Sequence, residues 1–98
     1  MLPEQAIERY LCRRVKEHGG MCVKMVGVNG IPDRLVIGNA ECWFIELKAE
    51  NGHLSPIQQA IHRRLRSMNQ KVFTINSFEL VDRFVVWAFG VGCENGIT

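Results

Sequence analysis

The sequence predicts a single α/β domain in which a mixed sheet is flanked by helices, and three observations lead there. Apolar residues recur at helical spacing at Ile7, Leu11 and Val15. Two β-rich segments, Arg34 to Gly38 and Cys42 to Ala49, are joined by the short Gly38-Asn39-Ala40-Glu41 connection. A helix start at Ser55-Pro56 then precedes one more strand-like run, Lys71 to Ile75. Strands and helices in this order belong to a layered sheet covered by helices.

Helix one is expected from about residue 3 to 18, because Pro3 suits a first helical turn and Gly19-Gly20 stops the pattern. Met21 to Val26 alternates loosely and carries β-branched residues, so it reads as a strand, with Gly27-Val28-Asn29-Gly30 as the loop after it. The next two strands form an antiparallel hairpin. Ser55-Pro56-Ile57-Gln58 combines an N-cap serine, a proline at the first helical position and a glutamine three residues after the cap, starting a helix that runs to about Met68. Lys71 to Ile75 is the fourth strand, and Ser77 caps a third helix ending near Gly90. The order is α-β-β-β-α-β-α.

A chain of 98 residues is expected to hold one domain around one core. With 47% hydrophobic and 22% charged residues, disorder is excluded, and neither repeats nor low-complexity stretches occur. The N-terminus mixes acid and base and lacks the roughly 7–15-residue apolar block of a secretory signal. The longest apolar run, Phe84 to Val91, is too short to cross a bilayer. These features place the chain in the cytoplasm, away from membranes. Cys12, Cys22, Cys42 and Cys93 lack the close pairwise spacing of a zinc site and read as buried free thiols. A formal charge of +2 does not by itself announce nucleic-acid binding. Its distribution says more: Arg9, Arg13, Arg14 and Lys16 cluster in one segment, and His62, Arg63, Arg64, Arg66 and Lys71 in another. Either cluster can be a solvated helix face or a phosphate-binding surface.

Strand alternation puts Trp43, Ile45 and Leu47 on one face of their strand and Phe44, Glu46 and Lys48 on the other. Alone, Glu46 and Lys48 are an ordinary surface pair, and Pro32-Asp33 an ordinary turn. The hairpin changes that, because it brings the start of one strand beside the end of the other and so Asp33 near Glu46 and Lys48. Two carboxylates suit a hard divalent cation such as magnesium, which prefers oxygen ligands. Such a cation offsets phosphate charge and acidifies water, and a neighbouring lysine stabilises developing negative charge. On helix one, Glu4 and Glu8 share the arc of Ile7, Leu11 and Val15, whereas Arg9, Arg13 and Lys16 point away. Glu4 lies in the first turn, where the helix dipole explains it; Glu8 has no such explanation and is favoured as the third acid. Gln58 completes a capping box and could also reach a scissile phosphate at the helix N-terminus. Lys24 is a candidate phosphate contact, while His18, His53 and His62 show no metal-ligand spacing and read as ordinary polar residues.

In this order, Glu8, Pro32-Asp33, Glu46-Leu47-Lys48 and Gln58 resemble the PD-(D/E)xK nuclease superfamily. More narrowly, Gly19-Gly20, Lys24, Gly30-Ile31-Pro32-Asp33-Arg34, Phe44-Ile45-Glu46-Leu47-Lys48 and Leu54-Ser55-Pro56-Ile57-Gln58 are similar to the stand-alone virus-type replication-repair nuclease (VRR-NUC) domain. The resemblance implies a restriction-endonuclease-like αβββαβ core plus a C-terminal helix. It implies a magnesium- or manganese-dependent endonuclease with Glu8, Asp33, Glu46 and the Leu47 carbonyl as metal ligands and Lys48 as the catalytic lysine. Lys24, Arg34 and Ser55 are then candidate DNA contacts. An acid-basic pair about eleven positions before the glycine that ends helix one, a pattern of related resolvases, fits Glu8-Arg9 and Gly19, with Glu4 left as the alternative first acid. Stand-alone members are associated with phages and bacteria and resemble Holliday-junction resolvases, which act as homodimers on branched DNA.

The last helix independently suggests a dimer, since Phe78, Leu80, Val81, Phe84, Val85, Val86, Trp87, Ala88 and Phe89 cover most of its circumference. A flap or nicking nuclease with the same chemistry is an alternative. So is a non-catalytic DNA-binding module on the nuclease fold, although retention of the acids and the lysine argues against it.

Overall fold

The computed structural model describes residues 2–90. Helix α1 (Glu4–Glu17) begins after Pro3, whose carbonyl accepts the Ala6 and Ile7 amides at 3.1 and 3.4 Å. Its stripe of Ile7, Leu11 and Val15 is completely buried. Strand β1 is Met21–Lys24, two residues shorter than the alternation suggested; one further bond in the same register, from the Met25 amide to the Asp33 carbonyl at 3.0 Å, follows its last residue. Strands β2 (Arg34–Gly38) and β3 (Glu41–Leu47) follow, then α2 (Pro56–Ser67), β4 (Val72–Ile75) and α3 (Phe78–Phe89). The mixed sheet with flanking helices agrees with the expected architecture.

The sheet order is β1-β2-β3-β4, antiparallel through the first three strands and parallel between β3 and β4. A parallel neighbour needs a crossover, and α2 supplies it. The β2–β3 turn is tight: Asn39 and Ala40 have φ of 53° and 64°, as a two-residue hairpin of matching twist requires. Its register pairs Arg34 with Ile45 and Gly38 with Glu41, so the entry of β2 lies beside the end of β3.

Each face of the sheet has its own layer. Val36, Trp43, Ile45, Leu47 and Ile75 pack with the apolar stripes of α1 and α3 into the main core. On the opposite face α2 contributes only His62 and Leu65 to the interior. At roughly 25 cal/mol per Å² of apolar surface, the α1/α3 side supplies most of the burial energy, and the thinner α2 side is left for polar groups. Helix α3 turns Val81, Phe84, Val85 and Ala88 inward. Its Val86 and Trp87 remain 42% and 60% exposed, although the Trp87 ring also meets Trp43 and Phe73.

The expectation of buried thiols needs correction. Among the described cysteines all three are free, but Cys12 and Cys22 are only half-buried and Cys42 is exposed; Cys93 lies outside the described residues. No helix among the described residues is long and apolar enough to cross a membrane.

Gly30 has φ of 87°, and a Cβ there would lie 2.4 Å from a methyl carbon of Ile57 and 2.9 Å from the Ile57 carbonyl oxygen. Only glycine lets this loop approach the start of α2 so closely. Gly30→Ala should therefore lower unfolding free energy by about 1–3 kcal/mol, read from urea denaturation, since a left-handed backbone and a backbone contact both resist the new methyl.

Candidate active site

Glu46 lies near the end of β3 on the α2 face of the sheet, and only 1% of it is exposed. A carboxylate removed from water to this degree is costly unless its oxygens are satisfied. Both are. Gln58 Nε2 donates to Oε2 at 3.2 Å and the His62 Nε2 atom lies 3.1 Å from Oε1. Gln58 and His62 are one helical turn apart on α2, so a single helix face serves both oxygens.

Gln58 does two jobs that the sequence offered as alternatives. Its Oε1 accepts the Ser55 amide at 2.9 Å while its own amide donates to Ser55 Oγ at 3.2 Å, which is the full capping box. The same side chain's Nε2 is left to hold Glu46. Ser55 is thereby fixed at the α2 N-terminus, exposed at the rim.

Asp33 enters from the other side. Proline at position 32 is buried and fixes the chain just before β2, and Asp33 Oδ2 accepts the Leu47 backbone amide at 2.8 Å. The hairpin thus places Asp33 beside the end of β3, as expected. Burial, a hydrogen bond shared with Asp33 and the repulsion of its charge push Glu46 up to about 8, against the pull of Lys48. Near neutrality Glu46 therefore keeps its proton, as a buried acid beside a second carboxylate does. Burial and the charges of Asp33 and Glu8 also raise Glu4, with Lys48 and Lys24 opposing. In turn Glu4 contributes to raising Glu46, so Glu4, Asp33, Glu46 and Lys48 share one electrostatic neighbourhood.

Glu8 is placed differently. Its Oε2 receives Arg34 Nε at 2.7 Å and lies 3.8 Å from Lys24 Nζ. Arg34 also donates to the Cys22 carbonyl at 3.0 Å. The register explains this grouping: Cys22 pairs with Val36 and Lys24 with Arg34, so all four share the α1 face, opposite Glu46. Arg34, expected as a DNA contact, has its guanidinium turned to these internal partners and its side chain 20% exposed, whereas Lys24 is 63% exposed.

His62 was the residue the sequence reading missed. It is 1% exposed and belongs to the interior, so it drops out of the basic cluster of α2. Burial and the charges of Arg66 and Lys48 lower it, which favours a neutral ring donating from Nε2 to Glu46; Nδ1 is buried without a partner. The available signal was its spacing of four from Gln58 on the helix that faces Glu46.

Among the described residues no three His, Cys, Asp or Glu side chains are gathered into a ready-made cation cage. What fits a divalent cation is the chemistry of the donor set: buried Glu46, which keeps its proton beside the charge of Asp33, with Leu47 next in the strand. A cation of charge two would replace that proton and satisfy the same repulsion.

An Asp at the entry of one hairpin strand, a buried Glu and a Lys at the end of the other, and a capped helix aimed at them define a restriction-endonuclease-like nuclease fold. No family model matches the chain. A solved structure described as a VRR_NUC domain superposes with a TM-score of 0.76 at 34% identity, covering 84% of this chain and 92% of that one. "Putative nuclease p44" of Acyrthosiphon pisum secondary endosymbiont phage 1 is 35% identical over an alignment of 83 residues that covers 82% of this chain and 89% of the phage protein. The chain belongs to the VRR-NUC nuclease family.

A raised carboxyl stabilises the fold in its protonated form, fully below the unfolded value and not at all above the folded one. In chelator, stability should therefore fall as pH rises from about 4.5 to about 8. Urea titrations across that window should show the slope, and Glu46→Gln should flatten it.

Proposed function

We propose that the protein is a magnesium-dependent endonuclease that hydrolyses phosphodiester bonds in DNA, with manganese able to substitute. The observation that carries this reading is buried Glu46 beside Asp33 and Lys48 at the end of β3. Asp33, Glu46 and the Leu47 carbonyl hold the cation. Bound there, a divalent cation supplies charge that offsets the phosphate and lowers the pKa of water.

The chain's own residues do the rest. Gln58 and His62 fix both oxygens of Glu46, so the acid meets phosphate without reorganising. Lys48, following Glu46 and Leu47 at the end of β3, orients the attacking water and stabilises negative charge as it develops on the phosphorus oxygens. The α2 N-terminus, capped by Ser55, offers its dipole to the phosphate backbone, and Lys24 adds an exposed charge. For the helix-one acid, the expected preference for Glu8 is reversed: Glu8 is neutralised by Arg34, whereas Glu4 shares the field of Asp33 and Lys48, so Glu4 is the better third carboxylate.

Lys48→Ala should still bind DNA but lose magnesium-dependent cleavage by roughly 100-fold or more, measured on labelled four-way junction, flap and linear duplex substrates. Undiminished cutting would remove the assignment. Preference for the junction is expected over the flap and the linear duplex.

The protein is further proposed to act on branched DNA as a homodimer. Exposed Val86 and Trp87 on α3 adjoin a groove of about 300 Å³ lined by Phe73, Leu80 and Phe84, an apolar face suited to a second copy. Trp87→Glu should shift sedimentation at micromolar concentration from dimer to monomer; a wild-type monomer under the same conditions contradicts the dimer.

A further inference from the structure

We propose that Cys12 and Cys22 form a covalent modification site, a dithiol that low-molecular-weight disulfides oxidise to an intramolecular bridge between α1 and β1. The observation is a contact. The two Sγ atoms lie 3.0 Å apart, closer than unbonded sulfurs normally rest, although they come from different elements. Cys12 is one turn beyond Glu8 on α1, and the pairing of Cys22 with Val36 turns Cys22 toward that helix. Both residues are half-buried rather than sealed in the core. Neither belongs to the Asp33, Glu46 and Lys48 site, which lies across the sheet.

The surroundings assign an order to the two sulfurs. The hydrogen bond between the two thiols, helped by the Arg34 charge, draws Cys12 down to about 7 against its burial, and the same pairing pushes Cys22 up. Cys12 is then the attacking thiolate. It displaces one thiolate from the small disulfide and becomes a mixed disulfide. Cys22 loses its proton to water, attacks the Cys12 sulfur and expels the second thiolate. Two protein thiols are oxidised, one small disulfide is reduced, and the two released thiolates take up protons.

The bridge would close the seam that Arg34 already spans through Glu8 and the Cys22 carbonyl. In a reducing cytosol the dithiol is the resting form, and the bridge reports an oxidising shift.

The test uses reduced native protein incubated with oxidised glutathione at neutral pH, quenched in acid and read by intact mass and peptide mapping. The expected product is a peptide linked through Cys12 and Cys22, with the loss of two hydrogens, while exposed Cys42 carries the glutathione adduct. With the second thiol removed, Cys22→Ser should trap the adduct on Cys12. Adducts that accumulate on wild-type Cys12 or Cys22 without a link would overturn the proposal, as would two free thiols beside a modified Cys42.

Discussion

A carboxylate sealed inside a sheet has to be compensated, and Glu46 organises its surroundings around that need. Gln58, His62 and Asp33 converge on it from one helix and the residue just before β2. Several distant features serve the same end. The Ser55 cap sets where α2 begins and hence which turn holds Gln58 and His62 over the strand. The Asn39-Ala40 turn sets the hairpin register that brings Asp33 to Leu47, and Gly30 lets the preceding loop close against α2. Replacing any one partner while keeping Glu46 leaves a buried acid short of a hydrogen bond, which costs more than the bond itself contributes.

The sheet separates two polar assemblies that its alternation makes independent. On the α2 face lie Glu46 and its partners. On the α1 face Arg34 neutralises Glu8 beside the two thiols, and exposed Lys24 stands 3.8 Å from the same acid. Only at the first turn of α1 does Glu4 join the field of the first group. This is why two acids four residues apart on one helix end up with different surroundings: one meets strand cations on its own face, the other the open end of the sheet.

Much of this was legible in the sequence because it rests on local rules. Capping residues, the glycine stop after α1 and the 3.6-residue and two-residue periods located every element, and the hairpin alone implied the approach of Asp33 to Glu46. Less legible was whatever depends on packing between elements. The end of β1 at Lys24, two residues before the apolar alternation stops, is not announced by any local pattern. Arg34 looked like a free cation until the register turned it to Glu8. His62 looked like one more member of a basic run, although its spacing from Gln58 on a helix facing Glu46 held the clue. The thiols looked buried because cysteine usually is, yet Cys42 falls at the exposed start of β3.

The claim at the centre of this picture is that Glu46, buried beside Asp33, holds a proton that a divalent cation displaces. Calorimetric titration of manganese near pH 7, repeated in buffers of different ionisation enthalpy, measures protons released per ion bound. The expected result is binding with release of a proton, with that release abolished in Glu46→Gln. Binding without proton release, or release that persists unchanged in Glu46→Gln, would contradict it.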